Sequence, residues 1–237
     1  MFRILALVTA LTLAGPSVCT AQDFSYDTLL LGWMKLKGDD FDYKANADSY
    51  LRLYRADTWS QVKDDEFKLD AEKKKSLEIM KRKAKDFDLS EEITLTTRLV
   101  FEKYDFDNNV FPLATSRGSV VTKKTYWYPE SRYPTGSLPD SMRLFFSNPE
   151  LLASFPMDKD AAEKFVEGRK EYERVVTARV QFKLTKAREG AGELIAEVQS
   201  VTFHDTIGKK PLVHKATKPA AKDSEKKDEK KDEKKVK

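Results

Sequence analysis

The sequence predicts an α+β fold: an antiparallel sheet with a long C-terminal hairpin, helices packed on one face, and a disordered, charged C-terminal tail. Three observations carry this. Between residues 26 and 85, apolar residues recur at three- and four-residue spacing, the period of helices with one buried face. From Ile93 the period drops to two, most cleanly over residues 172–205, where two alternating runs flank the turn sequence REGAG. From Lys209 to Lys237 the chain turns to 12 lysines and 6 acidic residues with almost nothing to bury. Each strand shows one polar face, which favours antiparallel pairing, because parallel strands covered on both sides read as continuous apolar runs.

The chain opens MFRILALVTALTLAGPSVCTAQ. Arg3 is a positive leader, Ile4 to Gly15 are a short apolar run, Pro16 breaks it, and Cys19 and Ala21 are small residues just before Gln22. That pattern predicts a signal peptide over 1–21, cut after Ala21, and hence a periplasmic or secreted protein. The run is shorter than the about 20 residues a spanning helix needs, and no later run is apolar enough to cross a membrane. The residues before Cys19, PSV, fit lipidation poorly. The chain has one cysteine, so cleavage would leave no disulfide, thiolate or cysteine–zinc chemistry. Residues 22–208 make a single domain with 30 basic and 33 acidic side chains, and the formal net charge of +4 therefore belongs to the tail, residues 209–237.

Within the domain, YDTLLLGWMKL (26–36) reads as a helix with Leu29, Leu30, Trp33 and Met34 on overlapping apolar faces. A second helix is expected over 45–56, with Tyr50, Leu53 and Tyr54 inward, and a third from Asp70 to Lys85, where Leu77, Met80 and Ala84 repeat. Its lysine- and glutamate-rich side is an ordinary solvated face. In EEITLTTRLVFEKY, Ile93, Leu95, Thr97, Leu99 and Phe101 alternate with Thr94, Thr96 and Arg98, a half-buried strand. Short strands are expected within RGSVVTKKTYWY and at Met142–Phe146. Pro149 at a first helical position with Asn148 as its cap opens a short helix. Asp160 and Glu163, spaced as a capping box, open another that Gly168 ends, with Phe165 and Val166 docked on the sheet.

The hairpin follows. Val176, Ala178, Val180, Phe182 and Leu184 share one face against Thr177, Arg179, Gln181 and Lys183 on the other. Leu194, Ala196 and Val198 point inward on the return, and the phase slips at Gln199–Ser200 before Val201 and Phe203, the mark of a β-bulge. The tail, with its EKKDEKKDEKK repeat, reads as a solubilising segment whose one physical handle is attraction to anionic surfaces. Its interspersed acidic residues make a nucleic-acid grip a poor expectation.

Most chemistries lack their residues. The chain has two histidines, His204 beside Asp205 and His214 in the tail, with no GxSxG elbow, no HExxH spacing and no glycine-rich phosphate loop. No catalytic residue, metal centre or cofactor is expected. Asp39, Asp40 and Asp42 form one acidic cluster; Asp105, Asp107, Asn108 and Asn109 form another that begins like a calcium loop. Val110 stands where such a loop needs glycine and Ser116 where it needs glutamate, so a turn is the ordinary reading, with a weak calcium site at Asp105–Asn109 the open alternative. The stretch TYWYPESRYPTGSLPD (125–140) concentrates rings and prolines, and its candidate ligand-binding residues are Tyr126, Trp127, Tyr128 and Tyr133. In a strand, Trp127 points away from Tyr126 and Tyr128, so the three cannot form one platform, and covering the core is the competing role.

The succession from DFDNNVFPL through MDKDAAEKFVEGRKEYERVVTARVQFKLTKA to AEVQSVTFHD resembles an exported bacterial family known only as a domain of unknown function, over most of residues 26–206. The resemblance implies a host and a compartment and brings no active site. The expectation is an exported, non-catalytic binding or envelope-associated module, its partner an envelope protein, a glycan or an anionic surface met through the basic tail. The alternative is a carboxylate-based periplasmic hydrolase acting on a glycan or peptide, which would need two acids across a cleft.

Overall fold

The computed structural model describes residues 22–114, 119–123, 138–206 and 211–216. The expected signal peptide 1–21 and the candidate residues Tyr126, Trp127, Tyr128 and Tyr133 lie outside the described residues. So does the chain beyond Ala216.

The helices form where caps and apolar spacing agree. Helix α1, Tyr26–Lys37, starts at Ser25, whose Oγ accepts the Thr28 amide at 3.1 Å, and buries Leu29, Leu30, Trp33 and Met34. A 3₁₀ turn, Gly38–Asp40, leads to Asp42, which accepts the Ala45 amide and caps α2, Tyr43–Tyr54. The expected single helix over 45–56 is in fact α2 followed by a separate α3, Ala56–Val62, because Arg55 at φ −140° leaves helical geometry between them. Helix α4 spans Glu66–Asp86, four residues earlier than its apolar repeat announces, because Asp65 caps it through the Lys68 amide. It buries Ser76, Met80 and Ala84, with Leu77 and Ile79 packed beside them, while its lysine- and glutamate-rich side stays wet.

The seven-stranded sheet comprises β1 (Gln22–Asp23), β2 (Ile93–Val100), β4 (Ser119–Lys123), β5 (Ser141–Phe146), β7 (Val175–Ala187), β8 (Glu193–Asp205) and β9 (Pro211–Ala216). Its order is β1-β2-β7-β8-β5-β4, with β9 also on β8. A small two-stranded sheet, β3 (Val110–Pro112) with β6 (Ser154–Pro156), lies apart from it. The β7–β8 hairpin has the predicted faces: Val176, Ala178, Val180, Phe182, Leu194, Ala196 and Val198 are all buried. Gln199 is the extra residue between the Gln181–Ser200 and Phe182–Val198 pairs, the bulge the sequence placed there, and Thr185 is a second one. The turn is held at Gly192, whose φ of +70° suits glycine and whose missing Cβ would sit 2.6 Å from the Ser141 carbonyl oxygen.

Two features depart from a purely antiparallel sheet with a tail from 209. The β1–β2 and β5–β8 pairs are parallel. Short two- and four-residue contacts of this kind do not impose the continuous apolar run of an all-parallel sheet. Residues 211–216, assigned to the tail by composition, form β9, which pairs with Ser200–His204 of β8. Strand β8 thus has β7 on one edge and shares its other edge between β5 and β9.

Asn148 fills the gap between those two neighbours. It was expected to cap the helix at Pro149, but its side chain makes no cap bond and the helix is a 3₁₀ turn, Pro149–Leu152. Its amide nitrogen instead donates to the Val198 carbonyl at 2.9 Å and its amide oxygen accepts the Val198 N–H at 2.8 Å. One side chain here does the work of a strand residue. The capping box expected at Asp160 and Glu163 is also absent: α5, Lys159–Val166, has Asp158 at its N-cap without a side-chain cap bond. Gly168, at φ +72°, follows its end.

Helix α1 packs on the inward face of the main sheet against β5, β7 and β8, α4 packs on α1, and α2 and α3 pack on α4. At one end of that core Phe101, Phe111, Phe155, Phe165 and Phe203 interlock, with Phe101–Phe111 centroids 5.1 Å apart and Phe155–Phe203 5.6 Å. Fully burying each such ring contributes about 1.5–3 kcal/mol. This cluster is where α5 docks, through Phe165, as the sequence predicts.

Candidate functional site

With the helices on the inward face, the strands present their polar alternates on the other. Register sets which of these are neighbours. Thr96, Arg179, Thr202 and His214 form one row across β2, β7, β8 and β9; Arg98, Thr177 and His204 form the next. A third row, Thr94–Gln181–Ser200, lies on the other side of the first. Thr96, Arg98, Arg179 and His214 are exposed, and Thr177, Thr202 and His204 are half-buried. The Thr202 hydroxyl and His214 Nδ1 are 2.9 Å apart, and the Ser200 hydroxyl donates to the Gln181 side-chain carbonyl at 2.7 Å. Neither arginine makes an ion pair among the described residues.

Inward-facing charges at the same end are already used. Arg169, beyond α5, donates to Asp205 at 2.9 Å and lies 4.0 Å over the Phe165 ring. This is a nearly dry ion pair, whose attraction is offset by the cost of dehydrating both partners. It holds Asp205 on the inward side of β8, opposite to the side His204 faces. Lys215, an inward residue of β9, donates to the carbonyl oxygens of Leu151 and Ser154, both at 3.0 Å. Burial holds its ammonium pKa below the ordinary lysine value, and nearby Glu150 opposes that shift.

Five carboxylates are held below the ordinary carboxylate range by local donors. Asp105 accepts the Asn108 side-chain amide at 2.7 Å and the backbone amides of Asn108 and Asp107. Those donors, the Asn108 side chain first, lower its pKa. The segment is therefore a turn braced by its own carboxylate, with Asn109 at φ 54° and Asp105 bridged to Val110. Asp65, Asp70, Glu72 and Asp88 are likewise lowered, each chiefly by a local hydrogen-bond donor. A general acid needs a shift in the other direction. Asp42 of the first acidic cluster is spent on the α2 cap. Among the described residues no three histidine, aspartate or glutamate side chains converge as a metal site would require.

One depression, of about 520 Å³, lies beside α4 and is lined by Arg55, Lys74, Lys75, Glu78 and Ile79. Its cations are neutralised in place: Arg55 and Lys75 both bind Glu72, at 2.7 and 2.6 Å, and Lys74 binds Asp70 at 2.7 Å. The end of the sheet's outward face that holds Arg98 and Arg179 is the better candidate, because these two arginines make no ion pair among the described residues. The sequence already placed Arg98, Arg179 and the threonines on polar faces. It missed that Arg98 and Arg179 are neighbours, which is a property of register, and that His214 belongs to a strand. The alternation in PLVHKA was the available signal for the latter, hidden among lysines.

A family model describing a domain of unknown function, DUF4852, matches residues 42–168, more than half of the chain. The chain belongs to that family. The DUF4852 match runs from the α2 cap at Asp42 to Gly168 after α5, so it includes Arg98 and stops short of the β7–β8 hairpin. No curated protein and no solved structure matches the chain. No helix among the described residues is long and apolar enough to cross a membrane.

Proposed function

We propose that the chain is an exported, non-catalytic binding module that presents the outward face of its main sheet to a partner in the cell envelope. The observation that carries this is the set of cross-strand rows on that face, where hydroxyl, amide, imidazole and guanidinium groups repeat over four adjacent strands. Strands lie about 4.8 Å apart, so four of them present such groups over about 14 Å on a rigid backing. Sites built on strands hold geometry better than sites on loops. The N-terminal leader supports the compartment, and the lysine-rich end adds a salt-sensitive attraction to anionic surfaces.

The test uses the full chain, expressed from its own start codon and purified from the compartment it reaches. Mass spectrometry should find a first residue at Gln22. Co-sedimentation with isolated envelope material should be saturable and should be lost in a Thr96→Tyr/Thr202→Tyr variant, which obstructs the face without changing its charge. Tyrosine is a good strand former, so the variant should fold. Equal sedimentation of parent and variant would remove the face from the function.

A further inference from the structure

The outward face is not uniformly charged, and the segregation identifies what it suits. At one end of the hairpin its charges are matched: Lys183 lies opposite Glu197, and Arg143 lies opposite Glu193 with 3.6 Å between charged atoms. At the other end the two rows through Arg179 and Arg98 contain no acidic residue. Arg98 faces Thr177 directly, which makes Arg179 its diagonal neighbour on β7. Diagonal neighbours lie about 7–8 Å apart, within reach of long side chains. His204 continues Arg98's row and His214 continues Arg179's, so guanidinium and imidazole groups zigzag across the sheet with Thr177 and Thr202 between them. The acid that could have neutralised this end, Asp205, faces inward on Arg169.

We propose, building on the binding-module reading, that this end of the face takes an anionic glycan, a polysaccharide with carboxylate groups along a hydroxyl-rich backbone. Two exposed guanidiniums with no carboxylate in their rows provide forked donors, whose geometry matches a carboxylate's two oxygens. The side chains between the cations, Thr177 and Thr202, can both donate to and accept from sugar hydroxyls. A bilayer surface would be better met by lysines with apolar side chains to insert, and the positions between these cations are hydroxylic instead. The lysine-rich end adds attraction along the same polymer without setting its register.

The experiment is a titration of the full chain with sodium alginate, a polyuronate, alongside neutral dextran, polyphosphate and vesicles containing phosphatidylglycerol. Alginate should bind, more weakly as salt rises, and dextran should not. An Arg98→Gln/Arg179→Gln variant, with the charged tail intact and the same unfolding midpoint, should bind alginate at least about tenfold more weakly. Arg188→Gln, which removes an exposed arginine stacked on Phe145 at the other end of the hairpin, should change nothing. Unchanged affinity in the double glutamine variant would overturn the proposal, as would preference for polyphosphate or vesicles over alginate. If dextran binds as tightly as alginate and the Thr96→Tyr/Thr202→Tyr variant abolishes both, the anionic assignment fails while the face keeps its role. If that obstructed variant binds everything as the parent does, the binding-module reading fails as well.

Discussion

Replacing Asn148 by alanine should be far more damaging than its half-exposed position suggests. The side chain occupies the stretch of the β8 edge between the part paired with β5, which ends at Ala196, and the part paired with β9, which begins at Ser200. Both backbone groups of Val198 depend on it, at 2.8 and 2.9 Å, and Val198 itself is fully buried. Orphaning a buried donor or acceptor costs about 1–3 kcal/mol, so losing both partners would cost about 2–6 kcal/mol with no water replacement. Because Asn148 is half-exposed, water can enter the vacated space, and the lower half of that range is expected. The assay is urea unfolding of Asn148→Ala, read as a lower midpoint at unchanged slope. Asn148→Asp is the informative companion: it keeps an acceptor for the Val198 N–H and sets an anionic oxygen against the Val198 carbonyl. It should therefore be at least as unstable at neutral pH. A loss below about 0.5 kcal/mol in the alanine variant, the range of ordinary surface substitutions, would refute the idea that one amide completes this edge.

Two further predictions concern the turn and the last strand. Gly192→Ala should lower the melting temperature more than Gly168→Ala. Both glycines have φ near +70°, a cost of about 1–3 kcal/mol for alanine, but only at Gly192 would the new Cβ also meet backbone, the Ser141 oxygen. Equal shifts would mean that β5 yields at no cost. Lys215 gives a pH signature. Its folded pKa is lowered by burial, so between that value and the ordinary lysine value near 10.5 the unfolded chain holds more protons. Stability from this group should therefore rise with pH in that window. The parent's urea midpoint, minus that of Lys215→Met, should climb as the pH approaches 10.5; a flat difference would place Lys215 in water instead.

Strand faces were easy to read because alternation is a local signal: each residue from Val176 to Leu184 declares its side without reference to any other strand. The Gln199 bulge was legible for the same reason, as a break in phase. Asn148 was misread because a cap and a ladder substitute use the same amide, and only the presence of Val198 50 residues away decides between them. The second acidic cluster could be seen as a turn from its failed calcium spacing, although the Asp105 bonds that brace it needed coordinates. Strand β9 is masked in the sequence because composition dominates: Lys215 resembles the tail lysines in every local respect, and the two carbonyl oxygens around its ammonium come from residues about 60 positions earlier in the chain. For the candidate site, the sequence supplied the residues and withheld the adjacency, since pairing Arg98 with Thr177 fixes a register that no local pattern encodes.

A strand has something like a reading frame, and β8 changes frame at Gln199. Before it the even-numbered residues, Leu194, Ala196 and Val198, enter the core; after it the odd-numbered ones, Val201 and Phe203, do. Without that one extra residue the second half of β8 would be translated in the opposite sense, with Thr202 and His204 driven inward and Phe203 turned to water. The chemical character of the outward face at this end thus hangs on a single inserted position whose own side chain belongs to neither frame. Whatever the side chains at 202 and 204 contribute, the length of this stretch is what keeps them on the side where a partner could meet them.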